Sequence, residues 1–247
     1  MLRTDLETMF WKEWRALFRQ RESRMRVFLS TFFPLVFFGV VLPLESGPRW
    51  FTGHSSLLIS CVVPILFALL VIPEAFAGER EKHTLATLLA TRLSDGAILY
   101  GKTLFALALG WGGVWFVLAL GFVTANLSDG VESFTFYSWR VLAVNLSASL
   151  ALGVFAVWLG VLISLRARTV QGAQQTLSAL LLVPGMLIGP VVLLVGEYFP
   201  LLRHGSLIAR VGPTTVFLAV LGGLVVVDVL LGRAAARRFR RDRHVEG

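Results

Sequence analysis

Residues 103–128 read TLFALALGWGGVWFVLALGFVTANLS, a run of 26 residues that contains no Asp, Glu, Lys or Arg. An α-helix rises about 1.5 Å per residue, so about 20 residues cross the roughly 30 Å hydrocarbon core of a bilayer. The run is therefore long enough to form one transmembrane helix. It therefore indicates a helical, membrane-embedded fold.

Five further stretches lack charged side chains, namely 27–44, 50–73, 141–165, 169–196 and 211–227. Only 15% of all residues are charged, against roughly 25% in soluble domains. We therefore predict an all-α integral membrane protein, a single transmembrane domain over 1–247. The six expected spans are 27–44, 53–73, 103–125, 141–164, 172–190 and 212–232.

Two segments outside regular spans are also predicted. Thr4 and Glu7 fit a capping box, and apolar residues then recur at helical spacing, which predicts an amphipathic elbow helix over 4–24 in the membrane interface. A simple anchoring role for this helix remains the alternative. Pro184, Gly185, Gly189 and Pro190 interrupt the fifth apolar run, so we expect a broken, partly re-entrant segment before the last span, continuing to about 210.

The basic residues predict the orientation. Nineteen of the 23 Lys and Arg residues lie before the first span, in 74–102, in 166–168 or after the last span. Because basic residues are enriched in cytoplasmic segments, both termini are expected to be cytoplasmic. We expect a multi-pass protein of a bacterial cell membrane. The net charge of +8 is attributed to contact with anionic lipids and not to nucleic acid.

One motif match is literal. Residues 96–103, GAILYGKT, satisfy the phosphate-loop pattern G-x-x-x-x-G-K-T. That chemistry needs a preceding strand in an α/β domain, whereas here a polar loop precedes the pattern and an apolar span follows it. We therefore expect no nucleotide site, and place Gly101 and Lys102 at the cytoplasmic start of span three.

Two carboxylates lie at the ends of spans. Glu74 follows span two, and Asp228 is expected about one turn from the end of span six. Intramembrane carboxylates are candidates for a function in the pathway, but structural pairing near the interface is the favoured interpretation. No His or carboxylate spacing predicts a metal site, and Cys61 is the only cysteine.

The segment between spans two and three is the most informative. It begins with a dense charge cluster, and its leucines then recur at helical spacing, which predicts an amphipathic cytoplasmic helix over 79–95 that lies on the membrane or docks on a partner. With Gly101 and Lys102 after it, the segment resembles the permease subunits of type-2 ATP-binding-cassette (ABC) exporters. The residues that match are Glu79, Arg80, Glu81, Thr84, Leu85, Leu88, Leu89 and Thr91. The sequence departs from the usual pattern at His83, Ala86 and Arg92.

The resemblance implies a transport protein without catalytic residues of its own. Two six-span subunits, identical or homologous, would form the pathway, and two separate cytoplasmic ATPase subunits would bind ATP and magnesium. The 79–95 helix would be the coupling helix, with its leucines buried in a groove of the ATPase and its charged triplet paired at the rim. An ATPase-independent secondary transporter or channel is the alternative.

Overall fold

The computed structural model describes residues 2–19, 32–52, 54–82, 94–127, 134–183 and 213–245. All regular elements in these ranges are helices. They are α1 (Leu2–Arg19), α2 (Phe32–Ser46), α3 (Arg49–Thr52), α4 (His54–Glu81), α5 (Asp95–Leu127), α6 (Trp139–Ser164), α7 (170–183) and α8 (Pro213–Val245).

Four of these helices are long and apolar enough to cross a membrane: Ser55–Glu81, Asp95–Leu127, Trp139–Ser164 and Thr214–Phe239. They correspond to predicted spans two, three, four and six. The described parts of spans one and five are the shorter helices α2 and α7, and residues 27–31 and 184–190 lie outside the described residues. The expected re-entrant segment also lies outside them, so six spans remain a prediction.

Helix α4 lies at the centre, and glycines allow its two main neighbours to approach it closely. A Cβ added to Gly110 of α5 or to Gly153 of α6 would lie 3.1 Å from Pro64. Asn145 Nδ2 of α6 donates to Ser56 Oγ of α4 at 3.1 Å, inside the bundle. Such small-residue contacts and interhelical hydrogen bonds are the usual stabilising contacts between helices in a membrane.

The contacts also give the helix directions. Ser56 pairs with Asn145, Pro64 with Gly153, and Ile72 with Gly160, so α4 and α6 run in the same direction. Helix α5 is antiparallel, since Pro64 meets Gly110 while Ala75 meets Lys102. In α8, Gly232 packs on Trp158, and the Phe239 ring lies 6.3 Å from that of Phe76. Helix α8 is therefore parallel to α4 and α6.

The same end of the bundle thus holds the end of α4, the start of α5, the end of α8 and helix α1. Met9 of α1 is fully buried in one apolar cluster with Phe76 and Phe239. We call this the charged end, because Glu79 and Lys102 lie there. Helix α1 covers most of the predicted 4–24 range; residues 20–24 lie outside the described residues, and its place in the membrane interface stays a prediction.

A neutral aromatic cluster occupies the other end, which we call the aromatic end. Trp50 is fully buried, and its Nε1 donates to Tyr137 Oη at 2.6 Å. Burial raises the pKa of Tyr137 to about 12, so the phenol stays protonated and donates to Leu118 O at 3.0 Å. Phe51 and Phe122 pack against the Tyr137 ring.

Helix α2 departs from α-helical geometry over Phe37–Val41, which forms a π-helical turn. Pro43 has no N–H to donate to its α-helical acceptor, the carbonyl of Gly39. Thr124 Oγ1 of α5 lies 2.9 Å from that carbonyl and donates to it. The distortion of α2 is therefore caused by a proline and stabilised by a contact with α5.

The bounds of three helices differ from the predicted spans. Helix α4 ends at Glu81 and not near 73, α5 begins at Asp95 and not near 103, and α8 continues to Val245 and not to 232. The spans were predicted to end at the first charged residue. Helices α4 and α5 can continue through Glu79 and Lys102 because these two residues bind each other, and where each helix leaves the membrane stays a prediction.

The aromatic end gives a first prediction. A Cβ at Gly121 would lie 2.5 Å from Trp50 Nε1, whereas nothing lies within 4 Å of a Cβ at Gly112 of the same helix. Gly121→Ala should therefore destabilise the protein by about 1–3 kcal/mol. Gly112→Ala should be neutral or stabilising by up to about 1 kcal/mol. Thermal unfolding of both purified variants in detergent checks this, and equal midpoints would contradict the packing of Trp50 on Gly121.

Candidate functional site at the charged end

The charged triplet Glu79-Arg80-Glu81 forms the last turn of α4. The carboxylate of Glu79 points toward two lysines on different helices. Its Oε1 lies 2.8 Å from Lys102 Nζ of α5 and 3.3 Å from Lys12 Nζ of α1. Glu79 therefore joins three helices.

Lys102 is the most deeply buried charged residue of this network, with 1% of its side chain exposed. An ammonium has three N–H donors, and three oxygens surround this one. Besides Glu79 they are Ala75 O at 2.5 Å and Glu13 Oε1 at 3.5 Å. The ammonium also lies 5.5 Å from the centre of the Phe76 ring. Removing a charge from water costs several kcal/mol, and these partners offset that cost.

Arg80 and Glu81 each bind the end of another helix. Arg80 Nη1 donates to Leu165 O at 2.7 Å, beyond the last turn of α6. Glu81 Oε2 accepts a hydrogen bond from Val170 N at 3.0 Å, at the start of α7. Both contacts satisfy backbone groups that a helix end leaves unpaired, and both place a charge of the favourable sign at the helix dipole.

A second acid–base pair at this end is exposed. Lys82 Nζ lies 2.5 Å from Glu74 Oε1, with about half of each side chain in contact with solvent, 57% and 50%. Glu74, a candidate for the pathway, is thus paired with a residue of its own helix end. The stability contributed by this exposed ion pair can therefore be compared with that of the buried ion pair between Glu79 and Lys102.

Residues 96–103 of the phosphate-loop pattern lie inside α5 as a continuous helix. Gly101 is buried, and Lys102 is bound by Glu79 and Ala75. A phosphate loop needs consecutive N–H groups turned toward an anion. Inside a helix, the N–H groups point along the axis to the carbonyls of the preceding turn. The pattern is therefore a coincidence of sequence.

Five of the matched residues, Thr84, Leu85, Leu88, Leu89 and Thr91, lie in 83–93, outside the described residues. A helix over 79–95 that docks on a partner therefore stays a prediction for 83–93. The described part, Glu79, Arg80 and Glu81, belongs to α4. The structure joins the two helices that flank 83–93, since Lys102 of α5 binds Glu79 and the carbonyl of Ala75 in α4.

Sequence reasoning missed the partners of the triplet. Lys12 and Glu13 of α1 had no motif around them, and the carbonyl of Leu165 and the N–H of Val170 are backbone groups without a sequence signal. One signal was present for Glu13: it follows Met9 by four residues and so shares its helix face. Because Met9 faces the bundle, Glu13 does as well.

Asp228 lies apart from this site. It is 6% exposed, near the middle of α8, and no described residue bonds its Oδ1. Helix α8 continues for 17 residues beyond Asp228, so this residue is far from the end of the helix, whereas the sequence placed it about one turn from the end of span six. Within the described residues, no three His, Cys, Asp or Glu side chains are grouped to hold a metal ion.

The buried and exposed ion pairs give the second prediction. Lys102→Met leaves Glu79 and Glu13 without their buried cation, and should lower the free energy of unfolding by about 3–5 kcal/mol. Lys82→Met removes only an exposed partner of Glu74 and should cost about 0–1 kcal/mol. Thermal unfolding of the two variants in the same detergent measures the difference. Similar midpoints would show that the network around Lys102 does not stabilise this end.

The comparison with known proteins agrees with the helical architecture. The profile of the ABC-2 type transporter family matches residues 4–221, most of the chain. No curated protein matches the sequence significantly. The matched region includes α4, α5 and α6, the start of α8 as far as residue 221, the triplet and Lys102. The chain is therefore a membrane-embedded permease that belongs to the ABC-2 type transporter family.

Proposed function

We propose that this chain is the transmembrane subunit of an ABC exporter. Two such subunits, identical or homologous, form the pathway, and two cytoplasmic ATP-binding subunits that hold ATP and magnesium drive it. The observation that carries the proposal is the 2.8 Å contact between Glu79 Oε1 and Lys102 Nζ. It fastens together the two helices between which the predicted docking segment 83–93 lies.

A segment that couples an ATPase to a permease must transmit displacement to the spans. The segment 83–93 connects α4, which ends at Glu81, with α5, which begins at Asp95, seven residues before Lys102. Because Lys102 binds Glu79 and the carbonyl of Ala75, a push on 83–93 acts on both helices together. Through Arg80 and Glu81 the same push reaches the end of α6 and the start of α7.

The contacts change the role that the resemblance assigned to the triplet. Glu79, Arg80 and Glu81 have partners within the chain, so we assign them the role of positioning residues that hold the ends of α4, α6 and α7. Contact with the ATPase then rests on Leu85, Leu88 and Leu89 and on Thr84 and Thr91. Buried apolar anchors surrounded by polar residues are the usual arrangement in such interfaces.

The proposal places the charged end in the cytoplasm. Helix α1 and the end of α8 lie at this end, and 19 of 23 basic residues flank it along the sequence. Excess Lys and Arg on one side predicts the cytoplasmic side. Both termini are then cytoplasmic, and the aromatic end faces the opposite surface, where Trp and Tyr are also favoured.

An ATPase-independent secondary transporter or channel is the second candidate. One observation favours it: Asp228 is a buried carboxylate far from the end of α8, and such residues occur in ion pathways of these proteins. It differs from the exporter in needing no soluble ATPase. The next experiment therefore separates the two.

Leu85→Asp combined with Leu88→Asp should abolish recovery of a soluble ATPase when the tagged chain is purified from its native membrane. The physical reason is that carboxylates cannot be buried in an apolar groove. The control is Leu127→Asp, since Leu127 is 74% exposed at the aromatic end. This variant should recover the ATPase normally.

One outcome contradicts the exporter, and another contradicts the docking surface on 83–93. Recovery of the wild-type chain without any ATPase, in several detergents, would favour the secondary transporter. Recovery of the ATPase with the double Asp variant would place the docking surface elsewhere in the chain. Membrane insertion of every variant is checked first by extraction with carbonate.

Orientation is tested with single cysteines after replacement of Cys61 by Ser. Thr52→Cys at the aromatic end should react with a membrane-impermeant maleimide in intact cells. Lys82→Cys at the charged end should react only in inverted vesicles. Thr52 and Lys82 are both exposed, so a difference in labelling reports only the side of the membrane on which each residue lies. The reverse pattern would place the charged end outside the cell.

A further inference from the structure

We propose that Asp228 is a recognition site for a positively charged group of a cargo molecule. The proposal rests on the proposed transport function only in treating the bound cation as a transported molecule, because binding to Asp228 needs no ATPase. Three features of Asp228 support this site: its depth in the membrane, its burial and the lack of a compensating cation among the described residues.

The depth follows from the packing of α8. Phe239 lies at the level of Phe76 and the charged end, with the two rings 6.3 Å apart. Asp228 precedes Phe239 by eleven residues, which is about 16 Å along a helix. That distance is about half the thickness of the hydrocarbon core. Asp228 therefore lies near the middle of the membrane.

The side chain faces the bundle and not the lipid. Asp228, Ala235 and Phe239 are the buried residues of α8 with described side chains, and their spacing of seven and four places them on one helix face. Gly232 lies on the same face one turn after Asp228, where a Cβ would lie 3.1 Å from the Trp158 ring. The missing side chain lets α8 approach α6 and so buries Asp228.

No described cation compensates this carboxylate. Lys102 is bound to Glu79 at the charged end, about 16 Å away along the bundle axis. Arg233 follows Asp228 by five residues, which turns its side chain to another face, and it is exposed. On α6, the segment from Leu150 to Trp158, about two and a half turns, holds no charged and no hydroxyl side chain. The Oδ1 atom of Asp228 has no hydrogen-bond partner.

An uncompensated carboxylate at this depth attracts cations strongly, because the low dielectric constant of the membrane interior weakens the attraction very little. The charge that such a carboxylate would pair with is an ammonium, phosphonium or guanidinium group, and an apolar body on the same molecule favours its entry into the membrane interior. A neutral or anionic cargo would gain nothing from Asp228. The site therefore selects for lipophilic cations.

The test uses two ions of equal shape and opposite charge, tetraphenylphosphonium and tetraphenylborate, with the purified chain in lipid nanodiscs. Binding to empty nanodiscs is subtracted. Asp228→Asn should weaken binding of the cation by at least about tenfold and leave binding of the anion unchanged or stronger. Asp228→Glu should retain cation binding. Glu45→Gln, which removes an exposed carboxylate, should change neither.

Thermal unfolding of the same variants keeps the result interpretable. The proposal expects Asp228→Asn to unfold at the wild-type temperature or higher, since an unpaired buried charge is removed. A lower unfolding temperature would mean that a basic side chain of the chain itself, or of a second copy, already pairs with Asp228, and would overturn the proposal. Unchanged cation binding by Asp228→Asn would overturn it as well. Neither outcome depends on whether an ATPase binds the chain.

Discussion

The buried ammonium of Lys102 determines which helices meet at the charged end. Its charge is stable at the end of a membrane helix only because Glu79, Glu13 and the carbonyl of Ala75 surround it, and these groups come from two other helices. Helices α1, α4 and α5 must therefore meet at this point, since a buried ion that loses its partner is costly. The neighbouring Arg80 and Glu81 extend the constraint to α6 and α7. One turn of α4 thus joins five helices.

The two ends of the bundle are stabilised by different interactions. Lys102 and Gly121 are 19 residues apart on α5, about 28 Å, which matches the thickness of a hydrocarbon core. Ion pairs and charged helix ends act at one level, and neutral aromatic contacts with Trp50 act at the other. Between them, glycines and the bond between Ser56 and Asn145 pack the spans. A force applied at the charged end can therefore reach the aromatic end through these packed helices.

The sequence predicted the helices but not where they end. Long apolar runs reveal spans because an uncharged helix is stable in lipid and its length is fixed by the bilayer. The ends depend on whether a charge finds a partner, and Lys102 finds one in Glu79, 23 residues earlier, and another in Glu13. The triplet Glu79-Arg80-Glu81 was recognised by its pattern, yet its partners at Leu165 and Val170 are backbone groups. Such partners are set by tertiary packing, which local sequence does not encode.

Lys102 and Asp228 show what burial does to two charges in the same membrane protein. Both are more than nine-tenths buried, but Lys102 has oxygens around it, while Asp228 faces α6 with no described partner for Oδ1. The partners of Lys102 turn its charge into a rigid junction. Asp228 contributes no such junction; its charge lowers stability unless a proton or a cation neutralises it. In the proposed exporter, the junction at Lys102 would transmit movement from the ATPase to the spans. Asp228, whose Oδ1 has no described partner, would bind the positively charged group of the cargo.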